Sequence, residues 1–226
     1  MDKYACVDPV DPQDQTAFAV ARAGYPIIFA SAFITAVFAL LDFTVITLIF
    51  VAVTFFICYF FRDPCRVASN KKGALVAPAD GKIVAAQIVE KNRFIEGQCL
   101  KISIFMSVFN VHVNRIPCKG TVTRISYHPG KFISANFDKA SSLNEHNAVF
   151  LESEKGQQIC FVQIAGLIAR RIICTLQEGD RVNCGQRFGM ICFGSRVDIY
   201  LPADTKLLVA VGDKVTAGTT ILGNWL

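Results

Sequence analysis

Glu178-Gly-Asp-Arg-Val-Asn-Cys-Gly-Gln-Arg-Phe-Gly189 is echoed by Val211-Gly-Asp-Lys-Val-Thr-Ala-Gly-Thr-Thr-Ile-Leu-Gly223. In each copy Gly-Asp makes a tight turn, the following Val opens a short strand, and a later Gly turns the chain again. Ala77-Pro-Ala-Asp-Gly-Lys-Ile-Val84 adds another turn that runs into a strand. Around these lie short apolar runs rich in Val, Ile and Phe and punctuated by Gly, Pro, Asn and Asp. They occupy residues 82–89, 100–105, 120–127, 148–151 and 158–165 and read as strands. Residues 167–176 read equally well as helix or strand. Residues 62–226 are therefore expected to form a mainly β domain with few helices.

The repeated turn and strand pattern resembles the lipoyl and biotinyl carriers, which implies a flattened barrel-sandwich of short strands. Fold likeness of that kind leaves function open.

The N-terminal quarter is different. Residues 1–24 read as an acidic, Pro-containing cytoplasmic tail in which Asp2, Asp8, Asp11 and Asp14 stand against Lys3 and Arg22, without the basic start of a secretory signal. Residues 25–41 and 43–61 are almost wholly apolar and are interrupted by Asp42. At about 1.5 Å rise per residue, each run nearly crosses an apolar layer roughly 30 Å thick. One reading is a helical hairpin with Asp42 capping its turn; the other is a tilted or re-entrant anchor. Arg62, Arg66, Lys71 and Lys72 follow, and such a cluster favours the cytoplasmic side for the β domain.

Composition agrees with membrane contact. Of 226 residues, 53% are hydrophobic and 18% charged, too apolar a balance for an ordinary soluble domain. A net charge of +5 is mild for a nucleic-acid binder and suits a protein lying on anionic lipid. The nine cysteines are scattered, with neither a Cys-x-x-Cys pair nor zinc-ligand spacing, and read as reduced, mostly buried thiols.

Chemistry centres on Arg187-Phe-Gly-Met-Ile-Cys-Phe-Gly-Ser-Arg-Val-Asp-Ile-Tyr-Leu-Pro202, where Gly194-Ser195 separates two apolar runs. Alone, such a pair usually marks a turn. It stands, however, with Phe60-Phe-Arg-Asp-Pro64, Ala77-Pro-Ala-Asp-Gly-Lys82, Phe105-Met-Ser-Val-Phe-Asn-Val-His-Val-Asn-Arg-Ile-Pro117, Asn144-Glu-His-Asn147 and Ala165-Gly-Leu-Ile-Ala-Arg-Arg171. Together and in this order, these motifs resemble the short, membrane-associated branch of the phosphatidylserine decarboxylases over most of the chain.

That resemblance implies a proenzyme. Ser195 attacks the Gly194 carbonyl and turns the peptide bond into an ester. Elimination and hydrolysis then leave a pyruvoyl group at position 195, with chains 1–194 and 195–226 as a heterodimer. The pyruvoyl group forms a Schiff base with phosphatidylserine, which leaves as phosphatidylethanolamine and carbon dioxide. No added cofactor or metal is implied.

The residues suit these roles. Glycine at 194 removes bulk beside the attacked carbonyl and permits unusual backbone angles. A serine hydroxyl needs a base, and imidazole is matched to proton transfer near neutral pH. Among the three histidines, the resemblance selects His112 as that base, with Asp80 as the carboxylate orienting it. The plainer readings are a structural histidine and an ordinary Asp-Gly turn. Other branches have a second histidine where this chain has Arg115. The family usually has arginine where His146 stands, so His146 is a further candidate for substrate contact or proton transfer. Arg115, Arg170, Arg171 and Arg196 are candidate cations for the substrate's oxyanions, with a solvated strand edge as the plainer reading.

Two alternatives remain at this stage. A noncatalytic, membrane-tethered carrier or adaptor accounts for the turns and the anchor. Its candidate attachment sequence, Asp138-Lys139-Ala140, lies outside the echo. The same chemistry on an ether-linked phosphatidylserine analogue is the second, because nothing in these residues reads the acyl linkage.

Overall fold

The computed structural model describes residues 19–69, 71, 73–133, 143–166, 171–192 and 194–225. Within them the chain divides after Cys65 into a helical unit and a β unit.

The helical unit holds a short 3-10 turn (Arg22–Gly24), α1 (Tyr25–Leu40) and α2 (Thr44–Phe60). Proline in the first turn of α1 sets its entry, where a missing N–H costs no intrahelical bond. Asp42 lies in the connecting turn at φ 59°, and no side chain caps α2. The hairpin is closed inside by a hydroxyl seam. Ser31 and Thr54 approach to 2.8 Å, and Thr35 lies 3.3 Å from Thr54. At its base, Ala21 N–H donates to Phe61 O and Asp63 N–H to Ala19 O. Outside, the large apolar residues are bare, with Phe29, Phe33, Leu40 and Phe55 each 70% exposed or more. Helices apolar on every side need a nonaqueous solvent or a partner, and residues 22–40 satisfy the length and hydropathy of a membrane span.

The β unit contains β1 (Ala74–Val76), β2 (Gly81–Val89), β3 (Cys99–Met106), β4 (Val113–Arg115), β5 (Gly120–His128), β6 (His146–Ser153) and β7 (Gln158–Ala165). It continues with β8 (Arg171–Cys174), β9 (Arg181–Val182), β10 (Arg187–Cys192), β11 (Ser195–Pro202), β12 (Lys206–Leu207), β13 (Lys214–Val215) and β14 (Ile221–Asn224). The expected mainly β domain is present as a curled antiparallel sheet ordered β13-β2-β3-β11-β7-β6-β5-β9, with two three-stranded sheets, β4-β10-β8 and β1-β14-β12. Of residues 167–176, the first four lie outside the described residues, and Arg171–Cys174 is strand.

The sequence echo has a physical counterpart. β13 pairs with the start of β2 and β9 with the start of β5. In both turns the aspartate carboxylate accepts the N–H three residues earlier, Asp180 from Gln177 and Asp213 from Ala210, each at 2.8 Å. Gly179 and Gly212 take φ values of 91° and 103°, which glycine adopts without a Cβ penalty.

β11 is the axis of the large sheet. Val197, Ile199 and Leu201 enter the main core with Ile102, Ile104, Phe161 and Phe188, while Tyr200 packs on the opposite face against Cys99 and Cys160. Fully burying such aliphatic and aromatic side chains contributes about 1.5–3 kcal/mol each. The eight described cysteines are all free thiols. Burial pushes the Cys184 thiol up to about 11 and raises Cys118 and Cys160 further, so these groups stay protonated.

Candidate active site

Gly194-Ser195 lies where the backbone leaves the β4-β10-β8 sheet and enters the eight-stranded one. Gly194 has φ 57°, and a Cβ built there meets no atom of the described residues within 4 Å, its two chain neighbours left aside. Its left-handed backbone conformation favours glycine beside the candidate scissile carbonyl. Ser195 opens β11 between Met106 of β3 and Ala165 of β7 and is fully buried. Its hydroxyl donates to Met106 Sδ at 3.3 Å. Phe193 lies outside the described residues.

His112 arrives from the segment joining β3 to β4. Asn110 shapes this turn by accepting the Ser107 N–H and hydroxyl. The His112 ring is buried, and its Nδ1 lies 3.0 Å from Asn110 O. A carbonyl only accepts, so Nδ1 carries the proton and Nε2 is the basic nitrogen of the neutral ring. The His112 carbonyl accepts the N–H of Ile191, four residues before Ser195, which ties this segment to the strand leading into the cleavage sequence.

Asp80 is engaged elsewhere. Arg66 grips both its oxygens, at 2.5 and 2.7 Å, and the Ala217 N–H donates to Oδ1 at 2.8 Å. This forked, largely buried arrangement fastens the β1–β2 turn to the second copy of the echo. The bonds seen at Asp80 thus go to Arg66 and Ala217, and that seen at His112 Nδ1 goes to the Asn110 carbonyl. Arg66, read from sequence as one of a basic cluster marking the cytoplasmic side, is thus engaged with Asp80. Arg62 of the same cluster lies over the Tyr59 ring at 3.9 Å.

The other candidates fall in distinct places. Arg115 is buried and donates to Gly185 O at 3.0 Å, and a Cβ at Gly218 would stand 3.0 Å from its Cδ. It is thus packed between the equivalent glycines of the two echo copies. Arg196 points to the sheet face opposite Ser195, as strand alternation requires, and forms a buried pair with Asp198 at 2.9 Å; Lys101 joins from 3.2 Å. His146 stacks on His128 with centroids 4.8 Å apart and lies 2.7 Å from Asn144 O through Nδ1. Burial, then the charges of Arg93 and His128, lower its pKa against the raising effect of that bond, so its ring is neutral at neutral pH. Arg171 opens β8 and is exposed, and its strand partner Cys192 stands two residues before Gly194. Arg170 and the Asp138-Lys139-Ala140 sequence lie outside the described residues.

Beside Ser195 the core carries polar residues that motif reading passed over. Asn147, Gln163 and Asn114 are buried within 3% exposure and bonded in series. Gln163 was open to detection, because alternation along β7 puts it with Ile159, Phe161 and Ala165 on the core face, where an amide is out of pattern.

The described residues contain no cluster of His, Cys, Asp or Glu able to hold a metal. The family profile described as phosphatidylserine decarboxylase matches residues 53–223. The phosphatidylserine decarboxylase proenzyme of Desulfotalea psychrophila is 53% identical over 204 residues, covering 90% of this chain and 95% of its own length. That of Syntrophus aciditrophicus is 48% identical over 208 residues, with 91% and 97% covered. That of Syntrophotalea carbinolica is 50% identical over 204 residues, with 90% and 95% covered. A profile match across most of the β unit and identities near one half along nearly full-length relatives leave one conclusion: this chain belongs to the phosphatidylserine decarboxylase family.

Proposed function

We propose that this protein decarboxylates phosphatidylserine to phosphatidylethanolamine with a pyruvoyl group made by cutting its own chain between Gly194 and Ser195. The observation carrying this reading is the placement of a buried serine directly after a left-handed glycine, in a chain half identical to named proenzymes.

Ser195 Oγ attacks the Gly194 carbonyl carbon. The C–N bond breaks as the C–O bond forms, and the hydroxyl proton passes to the departing amine. His112, through Nε2, is the base proposed for this transfer. Removal of the Cα proton of residue 195 expels the Gly194 carboxylate, and water then releases ammonia, leaving the ketone at 195. When formed, that group supplies an electron sink for the pair released as carbon dioxide leaves. Ser195 is fully buried, so the surrounding core keeps bulk water from such a group. Arg171, exposed opposite Cys192, is the cation best supported for the substrate's oxyanions. Asp80, held by Arg66 at the β1–β2 turn, stays in the proposal as the carboxylate supporting His112, together with roles for Arg115, His146 and Arg196 in substrate contact.

The exposed apolar hairpin supports attachment to the cell membrane through residues 25–61, with the β domain on the cytoplasmic side and the two cleavage products held together as a heterodimer. The repeated Gly-Asp clasp supports kinship of the β domain with the lipoyl-type sandwich.

Mass spectrometry of the purified protein tests the reading. Expected are chains 1–194 and 195–226, the second with a blocked pyruvoyl terminus. Ser195→Ala leaves one 24.8 kDa chain that releases no carbon dioxide from phosphatidylserine vesicles. An active wild-type protein that stays whole overturns it.

A further inference from the structure

The three buried amides form a directed series that ends at Ser195. Asn147 Nδ2 donates to Gln163 Oε1 at 3.2 Å. Gln163 Nε2 donates to Asn114 Oδ1 at 2.9 Å and to Ile173 O at 3.3 Å. Asn114 Nδ2 then faces Met106 Sδ at 3.9 Å, the same sulfur that receives the Ser195 hydroxyl at 3.3 Å.

Each orientation is dictated by its neighbour. Ile173 O can only accept, so Gln163 must turn its NH2 toward it and its oxygen toward Asn147. Asn114 must answer the Gln163 donor with oxygen, which sends its own NH2 to Met106. The β10 backbone closes over the series, since a Cβ at Gly189 would stand 3.1 Å from Gln163 Nε2 and 2.1 Å from Ile173 O. Burying amides in an apolar core gains little stability over aliphatic residues of the same shape. Their value here lies in direction.

We propose that Asn114, fixed by Gln163, positions Met106 and through it holds the Ser195 hydroxyl for attack on the Gly194 carbonyl, thereby setting the rate of self-cleavage. This rests on the reading of Gly194-Ser195 as the bond that breaks. A thioether is a weak acceptor. It restrains the hydroxyl in one rotamer yet surrenders the proton readily to a base, where a carboxylate or carbonyl would hold it. Asn114, Gln163 and Met106 are positioning residues, since the group that reacts is Ser195.

The test follows cleavage of freshly synthesised full-length protein by the appearance of chain 195–226, for the parent, Met106→Leu, Asn114→Leu and the double variant. Each single variant is expected to slow cleavage by about tenfold or more, the scale of a misplaced reacting group. The double variant should be no slower than the slower single, because both act along one series. Hydroxylamine, which splits an accumulated ester, should not accelerate the variants, since the slowed step precedes the ester. Met106→Leu nearly conserves volume and decides the matter alone if Asn114→Leu does not fold. Parent-like cleavage of Met106→Leu, multiplicative slowing in the double variant, or acceleration by hydroxylamine overturns the inference while parent cleavage stands. A parent that never releases chain 195–226 overturns the Gly194-Ser195 reading itself.

Discussion

Arg66→Met probes the join between the β1–β2 turn and the second echo copy. Arg66 makes two bonds to Asp80 and a third to Ala217 O at 3.0 Å, with the two charged side chains only 10% and 12% exposed. Methionine keeps the aliphatic stem but removes the fork, leaving the Asp80 carboxylate with the Ala217 N–H alone. Orphaning one partner of a buried pair costs about 3–5 kcal/mol. At about 2–4 °C per kcal/mol for a unit of this size, the melting temperature should fall by roughly 6–20 °C. Replacing both partners, Arg66→Met with Asp80→Leu, should recover most of that loss, because no uncompensated charge remains. Thermal unfolding followed by circular dichroism in a Ser195→Ala background keeps the chain whole during the measurement. A single variant melting within about 2 °C of its parent, a cost of about 1 kcal/mol or less, would refute the assignment of this pair as the fastening of the turn.

Two further outcomes follow from the backbone and from His146. Gly194→Ala forces alanine to φ 57°, so it should cost about 1–2 kcal/mol, read as a small drop in melting temperature, and should slow release of chain 195–226; an unchanged melt and rate would show that the left-handed conformation is not needed. Because the folded pKa of His146 lies below 6.5, the unfolded chain binds the additional proton first as pH falls, and stability contributed by the neutral ring is lost below about 6.5. His146→Phe should flatten melting temperature against pH between 7.5 and about 5.5, with His128 and Arg93 still present, and an equally steep curve in the variant would remove His146 as its source.

Local chemistry made much of this protein legible from sequence alone. Runs rich in Val, Ile and Phe between turn residues identified β2, β3, β5, β6 and β7 to within a residue or two, because side-chain and turn preferences act over a few positions. The Gly-Asp echo foretold two equivalent turns, and two apolar runs broken at Asp42 foretold an apolar helical segment while leaving hairpin and re-entrant anchor open. The Gly194-Ser195 pair and its accompanying motifs named the family. Partnership among distant residues was decided by tertiary structure. Arg66 lies 14 positions from Asp80 yet takes both its oxygens, Arg196 turns away from Ser195 by strand parity, and Gln163 reaches Asn114 across 49 positions. Charge and hydrogen-bonding capacity are written in each residue, but the partner that satisfies them is chosen by which strands the curled sheet brings together. Distance in the chain carries no record of that choice.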